Sequence, residues 1–325
     1  MAYKLQDYTE LLNDRDLEKS IWANKVCIFL GAGVARNIGM PDWQGLASNI
    51  TQFCLKHNIL NHSQTLILQN FTDPLKIISY CIQETEEKKQ QVSLNQHLQK
   101  LFIDDPFEHY RKSNNNVYKL LLELYQSEKV LIVQTNYDHV IEEVVNNSDS
   151  NRKLQPYVPF LDESQLELTN NLIVYLHGKF EKDYNNIILT KQKYNEVYVL
   201  KKSKVKQEKF FNDLLKEYTI IMLGYSLQDN EIVQLIANRE CPIDFKSVNI
   251  IIDNCKAKLI SNEIDARFWE SSCNQNLNIY TYDTEIGGFN QFYNVVEALK
   301  NKICKKADES ILSALDDANI EDIPE

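Results

Sequence analysis

A histidine, an asparagine and an aspartate each stand just past the end of an apolar run. So do several glycines. His177-Gly178 follows Leu172–Leu176, Gln134-Thr135-Asn136-Tyr137-Asp138 follows Val130–Val133, Gly224-Tyr225-Ser226 follows Thr219–Leu223, and Asp253-Asn254 closes the run from Val248. They gather around the stretch VCIFLGAGVARNIGMPDW, Val26 to Trp43. There an apolar run breaks into Gly31-Ala32-Gly33 and then into Gly39-Met40-Pro41-Asp42. A strand that runs into residues lacking a Cβ lets the backbone approach a phosphate closely. An imidazole, with an unperturbed pKa of about 6.5, is largely neutral at cellular pH and can act as a base. A carboxamide both donates and accepts, which suits it to holding a water.

Each of these residues also has a plainer reading. A histidine at a strand end is commonly a structural hydrogen-bonding residue. Asn136 and Asp138 could cap the helix expected from His139, Gly224 could serve only a tight turn, and Ser226 could cap a helix over 230–238. His57, His62, His97, His109 and His139 have no metal-ligand spacing and read as structural or exposed. The argument for a shared site rests on the elements that carry the motifs. Apolar runs separated by helical patterns indicate a parallel sheet covered by helices on both faces. In such sheets the ligand sits outside the carboxyl ends of the strands, where all these polar residues fall.

The pattern predicts a Rossmann-like α/β fold. A helix is expected over 5–24, then strands at 26–30, 130–133, 172–176, 187–189, 219–223, 248–252 and 277–282. From Trp43 to about Asn115 only helical spacing appears, so residues 44–115 read as a helical insertion forming a smaller lobe: packing in the bland reading, a lid over the site in the functional one. Residues 1–305 then form one catalytic domain, and 306–325 an acidic tail that reads as solvated and partly disordered. The alternative is a docking helix with Ile311, Leu312, Leu315 and Ile320 in one stripe.

With 325 residues, 43% apolar and 25% charged, the chain can build a sizeable core without disulfides. A net charge of −11 argues against a broad nucleic-acid-binding surface. Seven scattered cysteines with no close CxxC pair read as reduced thiols in a cytoplasmic protein. No signal-peptide core and no membrane-spanning run are expected.

GAG followed by GMPD at this spacing resembles the sirtuin signature, in which GAG is joined to a Gly-Ile-Pro-Asp-Phe-Arg turn. Gln134–Asp138 resembles the family's Thr-Gln-Asn-Ile-Asp, His177-Gly178 its His-Gly, and Gly224-Tyr225-Ser226 its Gly-Thr-Ser. The resemblance implies that Gly31, Ala32 and Gly33 hold the pyrophosphate of NAD+, and that Asp42 and Trp43 lie beside the nicotinamide. It places Thr135 at the cofactor and Asn136 and Asp138 against the nicotinamide and its ribose, with His177 as base. Gly224 and Ser226 would bind towards the adenosine half, with Asp253 a weaker match.

The departures are informative too. Ala35 stands where the family usually has Ser, and Trp43 and Gln44 replace the Phe and Arg. The two CxxC-type pairs of the deacylase zinc ribbon have no counterpart between Lys179 and Thr219, so no metal is expected. The helical insertion, TNYD and GYSLQD look more like a bacterial sirtuin-like branch linked to antiphage defence, whose members hydrolyse NAD+ to ADP-ribose and nicotinamide. That implies an NADase controlled by homo-oligomer assembly or by a separate defence partner such as an ATPase or nuclease, without membrane binding. The alternatives are an NAD-dependent deacylase or ADP-ribosyltransferase, and a non-catalytic NAD or ADP-ribose binding subunit.

Overall fold

A computed structural model describes residues 5–113, 116–148, 153–162, 167–225, 232, 235–236, 246–255, 258, 261–264, 277–287 and 289–318. The chain opens with strand β1 (Gln6–Asp7) and two short helices, α1 (Tyr8–Leu12) and α2 (Arg15–Trp22). One helix was expected here. Two form because Asp7 accepts from the Thr9 N–H, while Asp14 accepts from the N–H groups of Asp16 and Leu17 and starts a second helix. Strand β2 (Val26–Leu30) is wholly buried and runs into a one-turn helix, α3 (Ala32–Ala35).

The insertion is helical throughout its described part. It comprises α4 (Trp43–Lys56), α5 (His62–Leu68), α6 (Pro74–Glu87), α7 (Gln91–Gln99), a π-helical turn over Lys100–Asp104, and α8 (Asp105–Lys112). Its start signals are local. Asp42 caps α4, Asn61 and Gln64 form a capping box on α5, and Asp73 caps α6 ahead of Pro74.

Helix α9 (Val117–Gln126) leads into β3 (Val130–Gln134), followed by α10 (Val140–Asn146), β4 (Gln155–Tyr157) and β5 (Leu172–Tyr175). Then come α11 (Lys191–Tyr198), α12 (Lys201–Glu217), β6 (Thr219–Leu223), β7 (Val248–Asp253) and β8 (Leu277–Tyr282). The chain closes with α13 (Thr284–Gly287) and α14 (Phe289–Ala318). The expected strand over 187–189 is not one: Ile187 makes a single antiparallel bridge to Gly178. Its neighbour donates instead to the His177 carbonyl, Ile188 N–H to O at 2.7 Å. Of the helix expected over 230–238, Ile232, Leu235 and Ile236 are described, helical and buried, at i, i+3, i+4 spacing; the rest lies outside the described residues. The backbone remains helical from 306 to 318, so the expected tail starts inside α14 and not at its end.

All strands join one parallel sheet in the order β1-β8-β7-β6-β2-β3-β5-β4. From β2 the chain builds outward to one side through β3, β5 and β4 and to the other through β6, β7 and β8. The order reverses between β2 and β6, which is where open α/β sheets place their ligands. The register matters most there. Leu30 lies opposite Gln134 on one flank and Leu223 on the other. Three strands therefore stop at one level, and Gly31, Thr135 and Gly224 come side by side.

Two glycines at that level are there for space. A Cβ on Gly31 would lie 2.5 Å from the Gly224 carbonyl oxygen, and one on Gly224 would lie 2.5 Å from the Val34 nitrogen. Gly224 also has φ +62°. We expect Gly224→Ala and Gly31→Ala each to destabilise the fold by more than about 3 kcal/mol in urea denaturation. Ser48→Ala, at an exposed helical position, should change it by less than about 0.5 kcal/mol. Alanines tolerated at both glycines would show that the two turns do not pack as described.

Candidate active site

The glycine turn is built by hydrogen bonds between strand ends. Gly31 N–H donates to the Leu223 carbonyl at 2.9 Å, and Gly33 N–H to the Gly224 carbonyl at 2.8 Å. The space left by the missing Cβ atoms is thus filled by the backbone of the β6 turn. Both glycine amides are committed to that packing.

The β3 turn closes the other side. Thr135 N–H donates to the Leu30 carbonyl at 3.1 Å, and the Asn136 amide donates to the Gly31 carbonyl at 3.2 Å. Asn136 therefore touches the glycine turn directly. Tyr137 anchors the turn to the loop after β5, its hydroxyl donating to the Ile188 carbonyl at 2.7 Å. Trp43, the first residue of α4, sets its ring edge-on to both Tyr137 and His177, with centroids 6.5 and 6.3 Å apart. Tyr198 of α11 flanks His177 at 6.2 Å. His177 is 2% exposed and belongs to this aromatic cluster.

A cavity of about 30 Å³ lies between these parts, lined by Ala32, Ala35, Met40–Trp43, Leu46, Phe102 and Thr135–Tyr137. That is room for one water. A dinucleotide entering here must displace Trp43 or the Met40–Asp42 segment.

Asp138 takes a different position from its neighbours. It is 1% exposed and does not line the cavity. The Tyr118 hydroxyl donates to it at 2.9 Å, and the Val140 N–H at 3.2 Å, so the carboxylate also serves the start of α10. Burial pushes its carboxyl up to about 6, against these two donors, which favour the charged form. Beside it, Glu142 accepts from the Tyr175 hydroxyl at 3.0 Å and from Lys179 at 2.8 Å. His139, buried and near the Lys179 charge, is held neutral, its pKa lowered to about 3. Sequence reasoning missed Tyr118, Glu142, Tyr175, Lys179 and Phe102, because each meets its partner across the fold and no local spacing marks it.

Of the remaining expected site residues, Asp42 lines the small cavity and Asp253 lies apart from it. Asp42 accepts from the Gly45 N–H at 2.8 Å as the cap of α4 and faces Arg36 at 3.7 Å. Asp253 pairs with Lys258 at 2.8 Å and accepts from the Thr284 N–H and hydroxyl. Burial raises its carboxyl, but the Lys258 and Thr284 contacts outweigh this and leave it lowered. It joins the ends of β7 and β8, two strands from the glycine turn. Ser226 lies outside the described residues.

Residues 130–273 match the family model described as SIR2-like domain. That stretch, less than half of the chain, is similar to SIR2-like domains. The matched stretch carries Asn136, Asp138, His177 and Gly224, and it begins after the glycine turn and the helical lobe. The structure joins the glycine turn to that stretch through the Gly31, Gly33 and Asn136 hydrogen bonds, and the lobe through the Trp43 and Phe102 ring contacts. SIR2-like domains use NAD+ and are generally enzymes. No curated protein matches the chain. Among the described residues, no group of three or more His, Cys, Asp or Glu is placed to hold a metal ion, and no helix is long and apolar enough to cross a membrane.

The two buried titrating groups act in opposite senses. Asp138 holds its proton more tightly folded than unfolded, so its contribution to stability falls as pH rises from about 4 to about 6. His139 holds its proton less tightly when folded, so its contribution falls as pH drops from about 6.5 towards 3. Asp138→Asn should isolate the first effect. Relative to wild type, it should gain on the order of 2–3 kcal/mol in urea denaturation as pH is raised from about 4 to about 7. A difference that does not vary with pH would mean that Asp138 titrates as an ordinary carboxyl.

Proposed function

We propose that the chain is an NAD+ glycohydrolase that cleaves NAD+ to nicotinamide and ADP-ribose. The observation supporting this most directly is the convergence of the β2, β3 and β6 turns, with the Asn136 amide on the glycine turn and Trp43 against His177. Cleaving the nicotinamide bond passes through a cationic, oxocarbenium-like ribose. Nicotinamide is already a positively charged leaving group, so a strong general acid is unnecessary. The residues need to orient the sugar, keep bulk water out and activate one water. In this reading Asn136 holds the water and His177 is the base. Asp138, bound to Tyr118 and Val140, is a positioning residue that fixes the turn bearing Asn136.

An NADase that never rests would kill its own cell. The narrow cavity under Trp43 is consistent with a resting form, which we propose is opened by assembly with further copies or with a partner protein. On the same reading the chain serves in antiphage defence, depleting NAD+ in the infected cell. The wording of TNYD and GYSLQD and the helical lobe support that assignment.

Two measurements test these statements. The chain purified together with the products of its neighbouring genes, given NAD+ and no protein acceptor, should release nicotinamide and ADP-ribose in equal amounts. His177→Ala and Asn136→Ala should lower the rate by about 10²-fold or more, and Asp138→Asn by less than about 10-fold. Turnover only in the presence of an acylated or acceptor peptide would overturn the hydrolase reading in favour of transfer. In cells co-expressing the neighbouring genes, phage challenge should deplete NAD+ with wild type and not with His177→Ala. Depletion by both would place the activity elsewhere.

A further inference from the structure

A second cavity lies away from the strand ends. It measures about 690 Å³ and opens between the helical lobe and α10. Phe107, Tyr110 and Arg111 of α8 form one wall, and Glu143, Val144 and Asn147 form the other. Its size is within the range of small-molecule sites, about 300–1,000 Å³. Phe107, Tyr110 and Val144 are partly buried against the core and also line the cavity. The Arg111 guanidinium lies 5.9 Å from the Phe107 ring centre, so aromatic face and cation share one wall.

We infer that this cavity binds a purine mononucleotide. The base fits against Phe107 and Tyr110, and the single phosphate meets Arg111. Glu143 and Asp104 present acceptors to the N–H edge of the base. The same two carboxylates outnumber the one arginine and disfavour a polyphosphate. Guanine offers a carboxylate two adjacent N–H donors where adenine offers one amine, so GMP should bind more tightly than AMP.

The cavity is coupled to the strand-end site through one piece of backbone. The π-helical turn Lys100–Asp104 gives Ile103 and Asp104 to the large cavity and Phe102 to the small one. Phe102 packs on Tyr137 with centroids 5.0 Å apart and on Phe180 at 5.6 Å. A π turn is a local departure from α-helical register and recurs at functional sites. A ligand that draws Ile103 or Asp104 towards it shifts Phe102 against the turn that holds Asn136. This effect on turnover rests on the NAD+ reading above, whereas binding does not.

Calorimetry on the full chain with GMP, AMP, guanosine and ATP tests the site. GMP should bind saturably, at least 10-fold tighter than guanosine and tighter than ATP. Arg111→Met, at an exposed position, should weaken GMP at least 10-fold and erase its advantage over guanosine. Val144→Trp should abolish binding by filling the cavity, and His177→Ala should leave it unchanged. In wild type, GMP should change the rate of NAD+ cleavage at least 3-fold, and this response should be lost in Arg111→Met. No saturable GMP binding to wild type, or binding indifferent to both Arg111→Met and Val144→Trp, would overturn the site. Loss of GMP binding in His177→Ala would assign the nucleotide to the strand-end site. A chain that binds GMP as expected but never cleaves NAD+, even together with the products of its neighbouring genes, would refute the proposed function and leave the mononucleotide site standing.

Discussion

The alignment of β2 with its two neighbours is the constraint on which the rest depends. Leu30, Gln134 and Leu223 share one level of the sheet. Because they do, three turns that are far apart in sequence become one hydrogen-bonded unit. Side-chain periodicity in a sheet is two, so a slip of one residue in either pairing would turn every buried strand residue the wrong way. The apolar packing of the sheet therefore fixes the site geometry. Gly31 and Gly224 hold the same alignment at closer range, since neither turn admits a Cβ without pushing the other away.

A second layer supports the first. Tyr118 reaches Asp138 from α9, while Glu142 ties α10 to Tyr175 and Lys179 of the β5 segment. These buried polar contacts clamp the β3 turn from beneath, and Trp43 and Phe102 of the helical lobe cover it by packing on Tyr137. Buried ionised groups are costly unless fully partnered, so a cluster of this kind favours one arrangement of the turn over looser ones. The lobe is thus part of the site's wall, and what moves the lobe bears on Asn136.

The sheet was legible in the sequence because buried parallel strands are short, continuous apolar runs. Val26–Leu30, Thr219–Leu223 and Leu277–Tyr282 fall where those runs fall. What escaped had no such signal. β1 has only two residues, β4 contains a proline, and Ile187–Leu189 is apolar without being a strand, because its backbone serves the His177 loop. At the candidate site, residue type and position after a strand found Asn136, His177 and the glycines. They could not show that Asp138 turns to Tyr118, or that Asp42 caps a helix, because a carboxylate one or two residues before a helix reads the same in either role.

The edge strand β4 has a consequence for how copies of this chain can meet. Gln155 N–H points inward to the Asn171 carbonyl, so the next residue, Pro156, faces outward, where it has no hydrogen to give. The opposite border of the sheet is only Gln6–Asp7. Among the described residues neither border strand offers a long ladder, and short or proline-bearing margins of this kind oppose fibrous growth. Joining copies of this chain strand to strand is therefore discouraged at both described borders.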